Sequence, residues 1–155
     1  MNPLATKTLE RLREIINGDG TDDYRSGPKL CEFFNALGSS DDYWAMSRTE
    51  GFPSRWAYTD ERLRRINGTP EIDKCIKNTF AVNNYIGRIP YLDGLITDFN
   101  QYLAFDKWSV VRDNDLITFK RLDKVVIDVG NTLSEEIKED VFLISSDKVL
   151  VVTPH

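Results

Sequence analysis

Residues 90–121 read PYLDGLITDFNQYLAFDKWSVVRDNDLITFKR, and their apolar residues change spacing half-way along. Leu92, Leu95, Ile96, Phe99 and Leu103 recur at the interval that gathers side chains on one helical face. They form the strongest amphipathic stripe in the chain and predict a helix from about residue 90 to 103. Beyond Lys107 the period falls to two. Residues 108–112 and 116–121 are rich in β-branched and aromatic side chains and flank the polar Asp113-Asn114-Asp115. That pattern predicts a hairpin, with Val110, Ile117 and Phe119 sharing a face.

Upstream, the chain reads as helical. Asn2 is placed to cap a first helix, with Pro3 at its first position, where a missing N–H costs nothing. Leu4, Leu9, Leu12, Ile15 and Ile16 form its buried face, and Gly18 ends it. Ser26 caps a second helix from Pro28, with Leu30, Phe33, Phe34 and Leu37 inward and Gly38 closing it. Thr59 is expected to cap a short helix, TDERLRRI, ended by Asn67-Gly68. Thr69 and Pro70 then start a helix that buries Ile72, Cys75, Ile76 and Phe80. Residues 39–58 carry Tyr43, Trp44, Phe52, Trp56 and Tyr58 without clear periodicity and are read as a long aromatic loop. Its aromatics either pin the loop to the core or belong to a recognition surface.

Downstream, residues 125–129 are a candidate third strand, and Ser134 is placed to cap a short helix. Residues 141–144 and 149–152 suggest a terminal hairpin. The expected class is therefore α+β: a helical N-terminal two-thirds packed on a small antiparallel sheet, with a C-terminal hairpin. A helix followed by a hairpin also suits a winged-helix-like arrangement. A boundary near Gly130-Asn131 would divide the chain into 1–130 and 131–155.

Composition limits the functional classes. The chain has 155 residues, 41% hydrophobic and 29% charged, which is globular rather than disordered. No apolar run approaches the roughly 18 residues that a membrane span needs, and the N-terminus lacks the apolar core of a signal peptide. A cytoplasmic protein without membrane attachment is expected. The net charge of −5 opposes broad nonspecific binding to nucleic acid, which requires a basic field.

Catalytic and metal signatures are missing from the sequence. It has no phosphate-binding glycine loop, no GxGxxG after a strand and no GxSxG elbow. His155 is the only histidine, so a histidine triad or multi-histidine metal site is not expected. Cys31 and Cys75 fall within apolar helical patterns and read as small buried hydrophobes. Asp19, Asp22 and Asp23 cluster, but the remaining ligand positions of a calcium loop are absent. No cofactor and no metal are expected.

The remaining constellation is basic and aromatic. Between Arg55 and Lys77 lie six basic residues (Arg55, Arg62, Arg64, Arg65, Lys74 and Lys77) against the acidic Asp60, Glu61, Glu71 and Asp73. Arg62 and Arg65 are three apart and would share a helical face. Such a patch would grip phosphate or an acidic partner, or be a solvated mixed-charge face. The helix before the hairpin carries Asp93 and Asp98 and no Lys or Arg between residues 90 and 103, the wrong sign for a duplex groove. Arg112, Lys120 and Arg121 in the hairpin offset this in part.

Several stretches belong together: YRSGPKL at 24–30, FFNALG at 33–38, GFPSRWAYT at 51–59, NGTPEI at 67–72 and FNQYLAFD at 99–106. As a set, covering about residues 1–125, they resemble the N-terminal region of bacterial abortive-infection-type proteins. Those proteins commonly join such a region to a C-terminal helical effector of the HEPN type. The resemblance implies a sensor or adaptor role in phage defence and transfers no active-site residue. HEPN ribonucleases usually depend on an Arg-x4-6-His motif, and no Arg precedes His155 at that spacing. A natural stand-alone form, a fragment and a shortened chain all remain open.

The leading expectation is a non-enzymatic module that binds a macromolecular partner, a protein first, through Tyr43, Trp44, Arg48, Arg55, Trp56, Arg62 and Arg65. The alternative is nucleic-acid binding through Arg55, Arg62, Arg64, Arg65, Lys74 and Lys77. A carboxylate-dependent hydrolase or nuclease is a further alternative for which no particular pair of acids stands out.

Overall fold

The computed structural model describes residues 1–123 in full, and beyond them the strands Val125–Asp128, Val141–Leu143 and Val149–Val152 by their backbone pairing. The class is α+β, with α-helices up to Leu103, a short 3-10 turn at Ala104–Asp106 and, among the described residues, strands from Trp108 on. The chain divides into two compact units, Met1–Phe80 and Ala81–His155. The boundary expected at Gly130-Asn131, the short helix expected from Ser134, and His155 lie outside the described residues.

The first unit holds α1 (Thr6–Asn17), α2 (Gly27–Asn35), α3 (Tyr43–Thr49), α4 (Arg55–Ile66) and α5 (Pro70–Thr79). Ser26 and Thr69 cap as expected, accepting from the N–H groups of Lys29 and Glu71. Leu12 and Ile16 of α1, Leu30 and Phe34 of α2, Tyr58 and Leu63 of α4, and Ile72 and Ile76 of α5 are buried together with Phe80. Burial of such side chains contributes roughly 1.5–3 kcal/mol each, before the cost of ordering the chain.

Three element boundaries depart from expectation. Helix α1 begins after Ala5, which is extended and provides no side-chain cap, rather than after Asn2. The Asn67 side chain explains the delay. Its carbonyl accepts from the Leu4 N–H at 2.8 Å and its amide donates to the Leu4 carbonyl at 3.1 Å, holding the chain straight where a helix would curl. Residues 39–58 are not one loop. They contain α3 and the first turn of α4, capped by Asp42 and Ser54. Thr59, expected to cap, instead lies buried inside α4 and donates to Asn17 Oδ1 at 2.6 Å.

The second unit centres on α6 (Ile89–Leu103), which buries Leu92, Ile96, Phe99 and Leu103 as expected. Strands β1 (Trp108–Asp113) and β2 (Leu116–Arg121) pair antiparallel, with Val110 opposite Phe119 and Arg112 opposite Ile117. The two-residue turn places Asn114 at φ 55°, a region that asparagine tolerates. Val110 and Ile117 are buried on the shared face. The strands expected to form the terminal hairpin do pair: β4 (Val141–Leu143) and β5 (Val149–Val152) are antiparallel. The candidate third strand, β3 (Val125–Asp128), pairs with the other side of β5.

Two contacts dock β1 onto α6. Asp93 takes both Nε and Nη2 of Arg112, at 2.6 and 2.8 Å. The Asn100 side chain bonds Val110 on both backbone groups, donating to its carbonyl at 2.9 Å and accepting from its N–H at 2.8 Å. Both groups of Val110 thus find partners on the strand edge away from β2. Asn100→Ala should cost about 1–2 kcal/mol, read as a lower urea midpoint together with faster hydrogen exchange at the Val110 amide.

Candidate interaction surface

An aromatic chain runs from the core of the first unit to its surface. Phe33 meets Phe34 edge-on at 5.1 Å, Phe34 meets Tyr58 at 5.9 Å, and Tyr58 meets Phe52 at 4.9 Å. Phe52 meets Tyr43 at 4.7 Å, and Tyr43 meets Trp44 edge-on at 4.9 Å. Helix α3 buries no residue of its own, so this chain is much of what seats it. Tyr43 lies over Gly27, where an added Cβ would come within 2.3 Å of its ring. Trp44, at the outer end, is 62% exposed, and Arg48 one turn on is also exposed.

Trp56 stands apart from that chain. Residues two apart on a helix point in nearly opposite directions, so Trp56 leaves α4 away from the inward-facing Tyr58. It lies instead over α1, with the Arg13 guanidinium 4.2 Å from its ring centre. Trp56 is 55% exposed, whereas Arg13 is only 8% exposed. The stretch 43–65 therefore does not present one continuous surface. It presents Trp44 with Arg48 on α3, and Trp56 on α4.

Two of the expected recognition arginines are built into the fold. Arg62, with 12% of its side chain exposed, grips Asp41 through Nε at 2.9 Å and Nη2 at 2.8 Å. It also pairs with Glu61 and covers the Tyr58 ring at 4.5 Å. Tyr58 donates to the same carboxylate at 2.6 Å. The Arg62 hydrogen bonds hold the Asp41 carboxyl below its ordinary range, and burial raises the Tyr58 hydroxyl. Arg55 donates to the carbonyls of Arg25 at 2.7 Å and Asn17 at 2.6 Å, pairs with Asp19, and stacks on Tyr24 at 4.0 Å. Its guanidinium thereby closes the C-terminal end of α1, where carbonyls lack helical partners.

The other cations of the expected patch lie at the surface. Arg65 pairs with Glu61 at 2.7 Å, and Arg64 pairs with Asp60 at 3.0 Å. Lys74 and Lys77 are exposed on α5. Arg62 and Arg65 sit on one helix three residues apart, yet only Arg65 faces water. The two cysteines are buried thiols, as expected. Burial raises Cys31 and pushes Cys75 up to about 12, so neither is a thiolate at neutral pH.

No family model, curated protein or solved structure matches the chain.

The sequence reading passed over Arg13 and Asp41, and took Asp60 only as one acid in a charge balance. Asp60 accepts from Arg13 Nη1 at 3.1 Å while also pairing with Arg64. A signal for Arg13 was present: it adjoins Leu12 and falls four before Asn17 on the side of α1 that packs inward. Among the described residues, no group of three or more His, Cys, Asp or Glu is placed to hold a metal ion, and no helix is long and apolar enough to cross a membrane.

Proposed function

We propose that the chain is a non-enzymatic interaction module that captures a protein partner, acting in the cytoplasm as a sensor or adaptor of bacterial phage defence. The observation that carries this reading is the exposure of Trp44 and Trp56, at 62% and 55%, on a unit of only five helices. Indole rings left in water on rigid supports suit binding hot spots, where large contact area comes at low conformational cost. Both rings are supported, Trp44 by Tyr43 and Trp56 by Arg13. The place in phage defence rests on the resemblance of residues 1–125 alone.

Nucleic-acid binding receives less support. Arg55 and Arg62 are engaged inside the fold, Arg65 pairs with Glu61, and Arg64 shares Asp60 with Arg13. Of the six cations of the expected patch, the four arginines each already meet a carboxylate, whereas counterion release along a phosphate backbone asks for open positive charge.

The test is affinity capture from bacterial lysate with the whole chain as bait. Trp44→Ala with Trp56→Ala should lose the captured protein while the melting temperature holds within a few degrees. Retention of the same protein by the double variant would reject the reading. So would tight, salt-dependent RNA or DNA binding by the wild type, or turnover of a nucleotide by the purified chain.

A further inference from the structure

The surface around Trp56 suggests the chemistry of what it would meet. Asp60 is shared by two guanidiniums, Arg13 at 3.1 Å and Arg64 at 3.0 Å. One carboxylate faces two cations, so the cluster keeps a positive charge in a chain of net −5. Arg13 is 8% exposed, and its Nε is buried with no hydrogen-bond partner. Among the described residues, Asp60 is thus the anion paired with a buried guanidinium whose Nε lacks a partner, and the same carboxylate also pairs with Arg64, 66% of whose side chain is exposed. Trp56, Asp60 and Arg64 follow one another at four-residue intervals on α4, which sets the indole and the outer guanidinium along one ridge.

We infer that this ridge docks an acidic peptide segment of the partner, one carboxylate meeting Arg64 and a neighbouring apolar side chain lying on Trp56. The inference rests on the interaction-module reading and adds the chemical class of the ligand. An arriving carboxylate takes Arg64 in a bidentate contact and leaves Asp60 wholly to Arg13. Each guanidinium then has a carboxylate of its own, which no neutral or basic segment provides. A nucleic-acid strand fits less well. It would bring a run of phosphates past Asp60 and Glu61 on the same helix, with a single indole on which to stack.

The test is selection of a peptide-display library on the full chain. The recovered peptides should carry Asp or Glu beside Leu or Phe. Their affinity should fall at least about tenfold in Arg64→Glu and in Trp56→Ala. The Arg64→Glu protein should gain affinity for the same peptide with its acidic residue changed to Lys. Because Arg64 is exposed, its variant keeps the assay valid even if Trp56→Ala loosens the fold. Neutral or basic peptides, or acidic peptides that bind Arg64→Glu as well as wild type, overturn the inference. So does failure to recover peptides, or displacement of them by single-stranded oligonucleotide. If the partner is captured through Trp44 alone, with Trp56→Ala silent, the interaction module stands and this docking site falls.

Discussion

Asp41→Ala should destabilise the protein by about 3 kcal/mol. The carboxylate takes both ends of the Arg62 fork and the Tyr58 hydroxyl, at 2.9, 2.8 and 2.6 Å. Tyr58 is almost wholly buried, and Arg62 is largely so. Removing the acceptor strips Arg62 of both its bonds to Asp41, leaving it Glu61 alone as a carboxylate partner, and takes from the Tyr58 hydroxyl its carboxylate acceptor, which costs more than the original bonds contributed. The damage should spread to α3, because Asp41 also exchanges backbone hydrogen bonds with the Asn35 side chain, at 2.8 and 2.9 Å, just before that helix. Urea unfolding would read the loss as a lower midpoint. Tyr58→Phe should cost about 1 kcal/mol, since Asp41 keeps Arg62. A double-mutant cycle between Asp41 and Arg62 should return a coupling above about 1 kcal/mol. A cost of Asp41→Ala below about 1 kcal/mol would show that the network is only decoration on the packed aromatics.

The same pair has a pH signature. Arg62 holds the folded Asp41 carboxyl below its ordinary range, so the unfolded chain binds that proton more readily. The stabilisation is complete above the unfolded value near 4 and is lost as pH falls through the folded value. Asp93 follows the same direction through Arg112. Asp41→Ala should therefore flatten part of the acid limb of the stability curve while leaving its shape above pH 5 or so unchanged.

What the sequence made legible follows from where the stabilising information sits. Helices α2, α5 and α6 carry their buried stripes as unbroken apolar periods, and α2 and α5 also carry side-chain caps, so both extent and face could be read. The hairpin was readable because its period and its turn residues agree. Helix α3 was not, since it buries nothing and has no period to detect. Helix α4 was read one turn short because polar Thr59 completes its buried stripe. The site was harder for a related reason. Arg62 and Arg65 look equivalent on a helical wheel, but Asp41, 21 residues away in sequence, selects Arg62. The partners of Arg55 are mostly backbone carbonyls 30 and 38 residues away, which no residue type announces. The aromatics stand out in the sequence as a group, yet their division between the two sides of α4 depends on the helix starting at Arg55.

Arg55→Ala should cost about 2–3 kcal/mol and behave as a folding defect, not as the loss of a binding contact. Three groups lose a donor at once: the Asn17 carbonyl at 2.6 Å, the Arg25 carbonyl at 2.7 Å, and Asp19. The Asn17 and Arg25 carbonyls tie the end of α1 to the start of α2 and α4, and the intervening turn has little slack. Gly18 sits at φ 63° with the Asp23 carbonyl only 2.5 Å from where a Cβ would stand. Arg55→Lys should restore less than half of the loss. An ammonium offers a single point of charge, whereas these acceptors are spaced for a planar fork. The outcome separates two roles for one residue. A recognition arginine would lose the partner in the alanine variant at full melting temperature, and lysine would recover part of the binding. A structural arginine lowers the melting temperature first, and binding at low temperature, where the domain is still folded, stays near wild type. The packing around Arg55 requires the second pattern, and observing the first would return it to the docking surface.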